Sequence, residues 1–250
     1  MTLRGRGRIV FWPGGSVWIG RAEGTTDFHA HHALQITFAP RVRFREPDAD
    51  WREYQAAVVP SNTPHAMDAA GQEVALVFAE PESLEGRAIH LRYHGAGVSS
   101  IASQPLAAEA AQLAAAYRRQ KPDPALVLLA RRIIAALAGM APRPAAALDA
   151  RISRAIDVVR ERLDGTVSLG EVADAVGLSP DRFRHLFIEQ TGVRFRPYVL
   201  WQRMERAVAE YAAGATLTDA AYAGGFADSA HFSRTFRRMF GLPAAALRIE

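Results

Sequence analysis

Residues 169–192 read LGEVADAVGLSPDRFRHLFIEQTG, and residues 217–241 repeat the pattern more loosely as LTDAAYAGGFADSAHFSRTFRRMFG. In the first copy Ser168 and Glu171 form a capping box, a helix-start signal in which each side chain satisfies a backbone N–H. Leu169, Val172, Ala173 and Val176 follow as one apolar helical stripe. Gly177 ends that helix, because glycine takes positive φ at little cost. Ser179 caps a second helix, Pro180 suits its first turn, and Phe183, Leu186 and Phe187 form its buried side as far as Gly192. Two short helices joined by a tight glycine turn, with the small Ala173 where the second crosses the first, give a helix-turn-helix. The second copy keeps this frame: Thr216 and Asp219 stand for Ser168 and Glu171, then Ala221, Gly225 and Phe226 for Ala173, Gly177 and Leu178. After one extra residue in the turn, Asp228 is the cap, and Phe232, Phe236 and Gly241 match Phe183, Phe187 and Gly192.

Between the copies, residues 196–213 carry Pro197 early, an apolar face (Tyr198, Val199, Trp201, Met204, Val208, Tyr211) and a stop at Gly214. Such a helix spans about 27 Å. With its turns it can hold two recognition helices roughly 34 Å apart, one turn of B-DNA.

The stretch GFADSAHFSRTFRRMFG at residues 225–241, the glycine-bounded first copy and the connecting helix together resemble the AraC-type transcription regulators over about residues 150–248. The resemblance implies DNA contacts from the outward faces of both recognition helices: Asp181, Arg184 and His185 in the first, and Ser229, Ala230, His231, Ser233 and Arg234 in the second. Arg182 joins them as an exposed residue of the same helix. Arg184 and Arg234 can give bidentate pairs to guanine, worth about 1–3 kcal/mol of discrimination. His185, His231 and Ser233 can bond bases or phosphates, and Ala230 can touch a thymine methyl. Asp181 can accept from cytosine, or simply sit as a favourable charge at a helix N-terminus. Arg194, Arg196, Arg237 and Arg238 read as phosphate contacts or as solvated charges.

The rest of the chain reads differently. Short runs at residues 8–12, 16–20, 34–38, 42–45, 55–59 and 74–78, broken by turn residues, predict a small β-barrel or sandwich. Residues 106–120 are alanine-rich and helical in propensity, and Leu126, Leu129, Ala130, Ile133, Ile134 and Leu137 make one apolar stripe of a further helix. These two helices read as core, with a dimer face as an added role. The proline-containing stretch at residues 141–150 reads as a linker, and every segment after it as helix. The expected architecture is α+β: a β sensor domain at residues 1–104, a helical core or dimerisation region at 105–140, the linker, and a double helix-turn-helix domain at 151–250.

Within the β region, His29, His31 and Gln35 share one face if the strand is regular. With Asn62 and His65 they resemble the two sequence motifs of cupin barrels, with Gln35 in place of the usual glutamate and Asn62 in place of glycine. Two readings stand: His29, His31 and His65, with Gln35, bind a divalent metal (Zn, Ni, Fe or Cu), or they line a pocket for a small organic effector. His32 is expected on the opposite face.

Composition bounds the function. There is no cysteine, which excludes disulfides and thiolate metal ligands. The net charge of +4 is modest and not concentrated in either half. No apolar run is long enough for a signal peptide or membrane span. The expectation is a cytoplasmic, non-enzymatic transcription regulator, either activator or repressor, as a monomer or a homodimer, with a duplex DNA operator, RNA polymerase and a small-molecule or metal effector as partners. The competing reading is a metal-dependent, dioxygenase-like cupin enzyme with an accessory helical domain.

Overall fold

In the computed structural model, residues 1–101, 104–140 and 146–250 are described. The chain divides into two compact units, residues 1–145 with 236–250, and residues 146–235.

The first unit is a sheet backed by helices. Its elements are β1 (Arg4–Trp12), β2 (Gly15–Glu23), β3 (Leu34–Arg45), β4 (Arg52–Val59), β5 (Ala66–Asp68), β6 (Gln72–Ala79), α1 (Leu84–Tyr93), β7 (Ser99–Ser100), α2 (Gln104–Arg118) and α3 (Asp123–Gly139). The sheet runs β7-β4-β3-β6-β2-β1-β8, with β5 beside β3, where β8 is the C-terminal strand Leu247–Ile249. Among the described residues this path is open, so the expected barrel is not closed. The two predicted runs at 34–38 and 42–45 are one strand, β3, whose register with β4 shifts between Phe38 and Val42. Such an irregularity bends a strand and lets it serve two sets of partners.

One sheet face carries Val17, Ile19, Ile36, Phe38, Ala75 and Val77, and α2 and α3 cover it with Leu113, Leu126, Ala130, Ile133, Ile134 and Leu137. Fully burying each large aliphatic side chain is worth roughly 1.5–3 kcal/mol. The predicted stripe of α3 is therefore core, with Leu129 partly buried at its margin.

The second unit contains α4 (Ala150–Glu161), α5 (Leu169–Ala175), α6 (Pro180–Thr191), α7 (Phe195–Ala212) and α8 (Leu217–Ala223). The last helix, α9 (Ser229–Phe240), starts in this unit, and its residues from Phe236 onward belong to the first. The sequence pattern reads every segment after the linker as helix, but residues 247–249 form β8, which pairs in parallel with β1, Arg6 opposite Arg248. A three-residue strand has too little pattern to be seen locally, and only its partner defines it. Of the expected linker, residues 141–145 lie outside the described residues. Ala150 already begins α4, capped by the Asp149 carboxylate on Arg151 N–H. No helix is long and apolar enough to cross a membrane, among the described residues.

Candidate functional site

The histidine centre grows from irregular backbone rather than from a regular strand. His29 and His65 face each other as an isolated bridge, exchanging N–H···O=C bonds of 3.0 and 2.9 Å. Asn62 holds φ +57 and donates its N–H to His31 O at 2.8 Å, fixing the other side of the loop. Asparagine tolerates the left-handed region, so it can stand where the cupin motif has glycine.

All three imidazoles are oriented alike. Their Nδ1 atoms lie 2.9, 2.8 and 2.9 Å from the carbonyl oxygens of Asp27, Ala33 and Thr63. A carbonyl can only accept, so Nδ1 carries the proton and Nε2 keeps its lone pair. Burial is the largest cause lowering each pKa: His29 falls to about 3, His31 is lowered, and His65 lies well below the usual value. The rings also repel one another's protonation, with centroids 4.2 Å apart for His29–His65 and 5.2 Å for His31–His65. Neutral imidazole with Nδ1–H given to a backbone carbonyl is the form that binds metals. One ring nitrogen from each histidine lies within 4.8 Å of the others. His65 is fully buried and its Nε2 has no hydrogen-bond partner. An orphaned buried acceptor costs about 1–3 kcal/mol, which a bound cation would relieve. These residues fit a divalent metal.

Gln35 does converge on the centre, its amide 3.0 Å from His31 Nε2 and 3.0 Å from Thr37 Oγ1. With His31 neutral, the amide nitrogen must face His31 and its oxygen must accept from Thr37. Gln35 thus holds the His31 lone pair through a hydrogen bond and would have to give way for His31 to ligate. His32 stands outside the cluster and pairs with the buried Glu82.

Sequence reasoning missed the C-terminal wall of this centre. Asp27 N–H donates to Gly241 O at 2.7 Å, and Phe240 lies 6.3 Å from the His31 ring. Gly241 has φ +69, and a Cβ there would meet Asp27 O at 2.4 Å and His29 Nδ1 at 2.6 Å. Arg237 donates from Nε and Nη2 to Asp27 Oδ2 at 2.9 and 2.8 Å. Its expected role as a phosphate contact therefore competes with an ion pair. The one sequence signal for this wall is Gly241 itself, which reads as a helix stop.

In the helical unit the caps stand where expected: Ser168, Ser179 and Thr216 each accept from the backbone N–H three residues on. Phe183, Phe187, Phe195 and Tyr198 interlock, with Phe183–Phe195 at 5.5 Å and Phe187–Tyr198 at 5.2 Å. They turn the other side of α6 outward, leaving Asp181, Arg182, Arg184 and His185 exposed. Arg184 donates to Asp181 at 2.7 Å, so Asp181 orients that guanidinium. On α9, Ala230 and Arg234 are exposed, while Ser229, His231 and Ser233 are half-buried. His231 packs edge-on against Phe226 at 5.2 Å. Arg194, Arg196 and Arg238 are exposed.

Residues 172–249 match the model of a helix-turn-helix domain family. No curated protein matches the chain. Among solved structures, ToxT from Vibrio cholerae aligns with a TM-score of 0.60 at 11% identity, covering 93% of this chain and 97% of that one. Vibrio cholerae ToxT bound to an unsaturated fatty acid gives 0.56 at 11%, covering 97% and 91%. The form bound to (E)-4-(8-methylnaphthalen-1-yl)but-3-enoic acid gives 0.55 at 12%, covering 98% and 97%. The likeness is one of fold, and it extends over nearly the whole of both chains.

Proposed function

We propose that this protein is a cytoplasmic transcription regulator that binds a specific duplex DNA operator and responds to an effector sensed in its sheet domain. The observation that carries this reading is the doubled helix pair, capped by Ser168 and Ser179 in the first copy and by Thr216 and Asp228 in the second, whose second helices, α6 and α9, turn Arg184 and Arg234 to solvent. Asp181, Arg182, His185, Ser229, Ala230, His231 and Ser233 supply the remaining base and phosphate contacts, and Arg194, Arg196 and Arg238 the flanking phosphate contacts. Homodimerisation through the helical layer is supported only by one exposed leucine of α3, Leu128, and RNA polymerase is the partner of such a DNA-bound regulator.

The sensed effector is a divalent metal at His29, His31 and His65, supported by the three inward lone pairs. Bound there, the metal supplies positive charge that neutral imidazoles hold without a carboxylate. Asp27, Gly241 and Arg237 then link that centre to the C-terminal end of α9, whose N-terminal half bears His231 and Arg234. A second reading, an organic acid effector, is favoured by the ligands of the ToxT structures. A pocket of about 740 Å³ lined by Ile19, Phe38, Ala56, Ile101 and Ala110 offers apolar surface for the tail of such a ligand, while its one arginine, Arg118, is paired with Glu73 at 2.7 Å.

Anisotropy titration of operator and scrambled duplexes against the metal-free and zinc-loaded chain tests the whole reading. Operator preference that changes with zinc supports the metal effector. Preference that responds only to an unsaturated fatty acid selects the second reading. Equal affinity for all duplexes rejects the regulator, and metal-dependent turnover without DNA binding would favour the enzyme.

A further inference from the structure

The helical layer on the sheet stops at Tyr117, and beyond it the same face turns abruptly basic. Arg21 on β2 is registered opposite Arg6 on β1, and Arg6 is registered opposite Arg248 on β8. Three arginines thus stand in one row across three adjacent strands. Arg4, two residues along β1, shares their face. Like charges directly opposite across strands are destabilising; Glu73 of β6 stands opposite Arg21 but is ion-paired with Arg118, and Glu23 stands opposite Arg4, so Arg6 and Arg248 remain the like-charged neighbours of the row. The protein answers only part of it. Glu250 takes Arg6 at 2.6 Å, whereas Arg4, Arg21 and Arg248 have no hydrogen bond or ion pair among the described residues. These side chains line a pocket of about 910 Å³ together with Tyr117 and Pro243. Its walls hold four arginines, Arg4, Arg6, Arg21 and Arg248, against two glutamates, Glu23 and Glu250, an excess of two positive charges.

We propose that this pocket binds a small anion with two or more negative charges, a diphosphate or a polycarboxylate, clamped between β1, β2 and the C-terminal strand β8. Guanidinium forks match phosphate and carboxylate oxygens bidentately, and the charge excess equals that of a doubly charged ligand. Because Arg248 lies on the last strand, the anion also pins the tail against the sheet, adding to the Glu250 N–H bond to Gly7 O at 2.9 Å. The site shares no residue with the histidine centre or with the outward faces of α6 and α9.

Calorimetric titration of the full chain at low ionic strength, with inorganic pyrophosphate in one arm and citrate in the other, tests this. Saturable binding of at least one is expected, and the tighter arm names the ligand chemistry. Arg21→Gln and Arg248→Gln, both at exposed positions that leave the core untouched, should each weaken it at least tenfold. Arg132→Gln, an exposed arginine on α3, should leave it unchanged. Absence of saturable binding in both arms overturns the proposal, as does equal affinity across all three variants. A non-specific duplex should not displace the anion. If it does so with Arg21 and Arg248 required, the row is a nucleic-acid contact and the proposal fails.

Discussion

Gly241 concentrates two constraints in one atom's absence. Its φ is positive, and a methyl group would strike Asp27 O and His29 Nδ1. Gly241→Ala should therefore lower stability by about 1–3 kcal/mol, read as the urea midpoint of the sheet unit, and weaken zinc binding. An unchanged midpoint would mean that the wall of the histidine centre yields freely. The histidines make a second prediction at this scale, for the metal-free chain. Their folded pKa values are depressed, so the unfolded chain takes up protons near pH 6.5 that the folded chain refuses. Stability is full above that pH and is lost as pH falls, for His29 down to about 3. The slope is up to about 1.4 kcal/mol per pH unit for each histidine. Urea midpoints at pH 7.5 and 5 should diverge for the native chain and converge for the His29→Gln, His31→Gln, His65→Gln triple variant. Parallel behaviour would contradict the depressed values. His65→Leu removes the orphaned Nε2 along with its ring, so metal-free stability should stay within about 1 kcal/mol while zinc binding disappears.

At the level of elements, α7 is the spacer, and its 18 residues give its length. One alanine inserted in its exposed face would turn the second helix pair by about 100° and shift it by about 1.5 Å. Binding to an operator with two half-sites should collapse to that of one half-site, while the melting of the helical unit changes little. Retained affinity would mean that only one pair reads DNA. The elements themselves were largely legible. Ser168, Ser179 and Thr216 cap where their spacing said, and the 126–137 stripe is buried as its period required. What stayed hidden depends on distant partners. Leu247–Ile249 becomes a strand only because β1 offers an edge, and α1 shows no apolar stripe to announce it, only Ser83 as a cap. The histidines converge although residues 27–33 form no regular strand, so the motif pointed to residues that meet, through a geometry that is not that of a strand. The open sheet differs from the closed barrel because strand pattern gives faces and not closure, which is a property of the edges.

For the whole molecule, the chain order and the spatial grouping disagree at the C-terminus. Residues 236–250 group with the sheet unit, so one helix, α9, begins in the helical unit and ends in the sheet unit. Coupled binding equilibria are reciprocal by linkage, so whatever factor zinc applies to DNA affinity, DNA must apply to zinc affinity. Asp27→Ala, which removes the Arg237 partner but no histidine, should reduce that factor and leave each single affinity within a few fold. Selection of bound duplexes from a random pool by the purified chain, with Arg184→Ala and Arg234→Ala beside it, bears on all of this at once. The expected product is a pair of short motifs about one helical turn apart, each relaxed at one base position by one of the substitutions. A pool that emerges unenriched, or two variants that weaken every sequence alike, would contradict the reading of twin recognition helices.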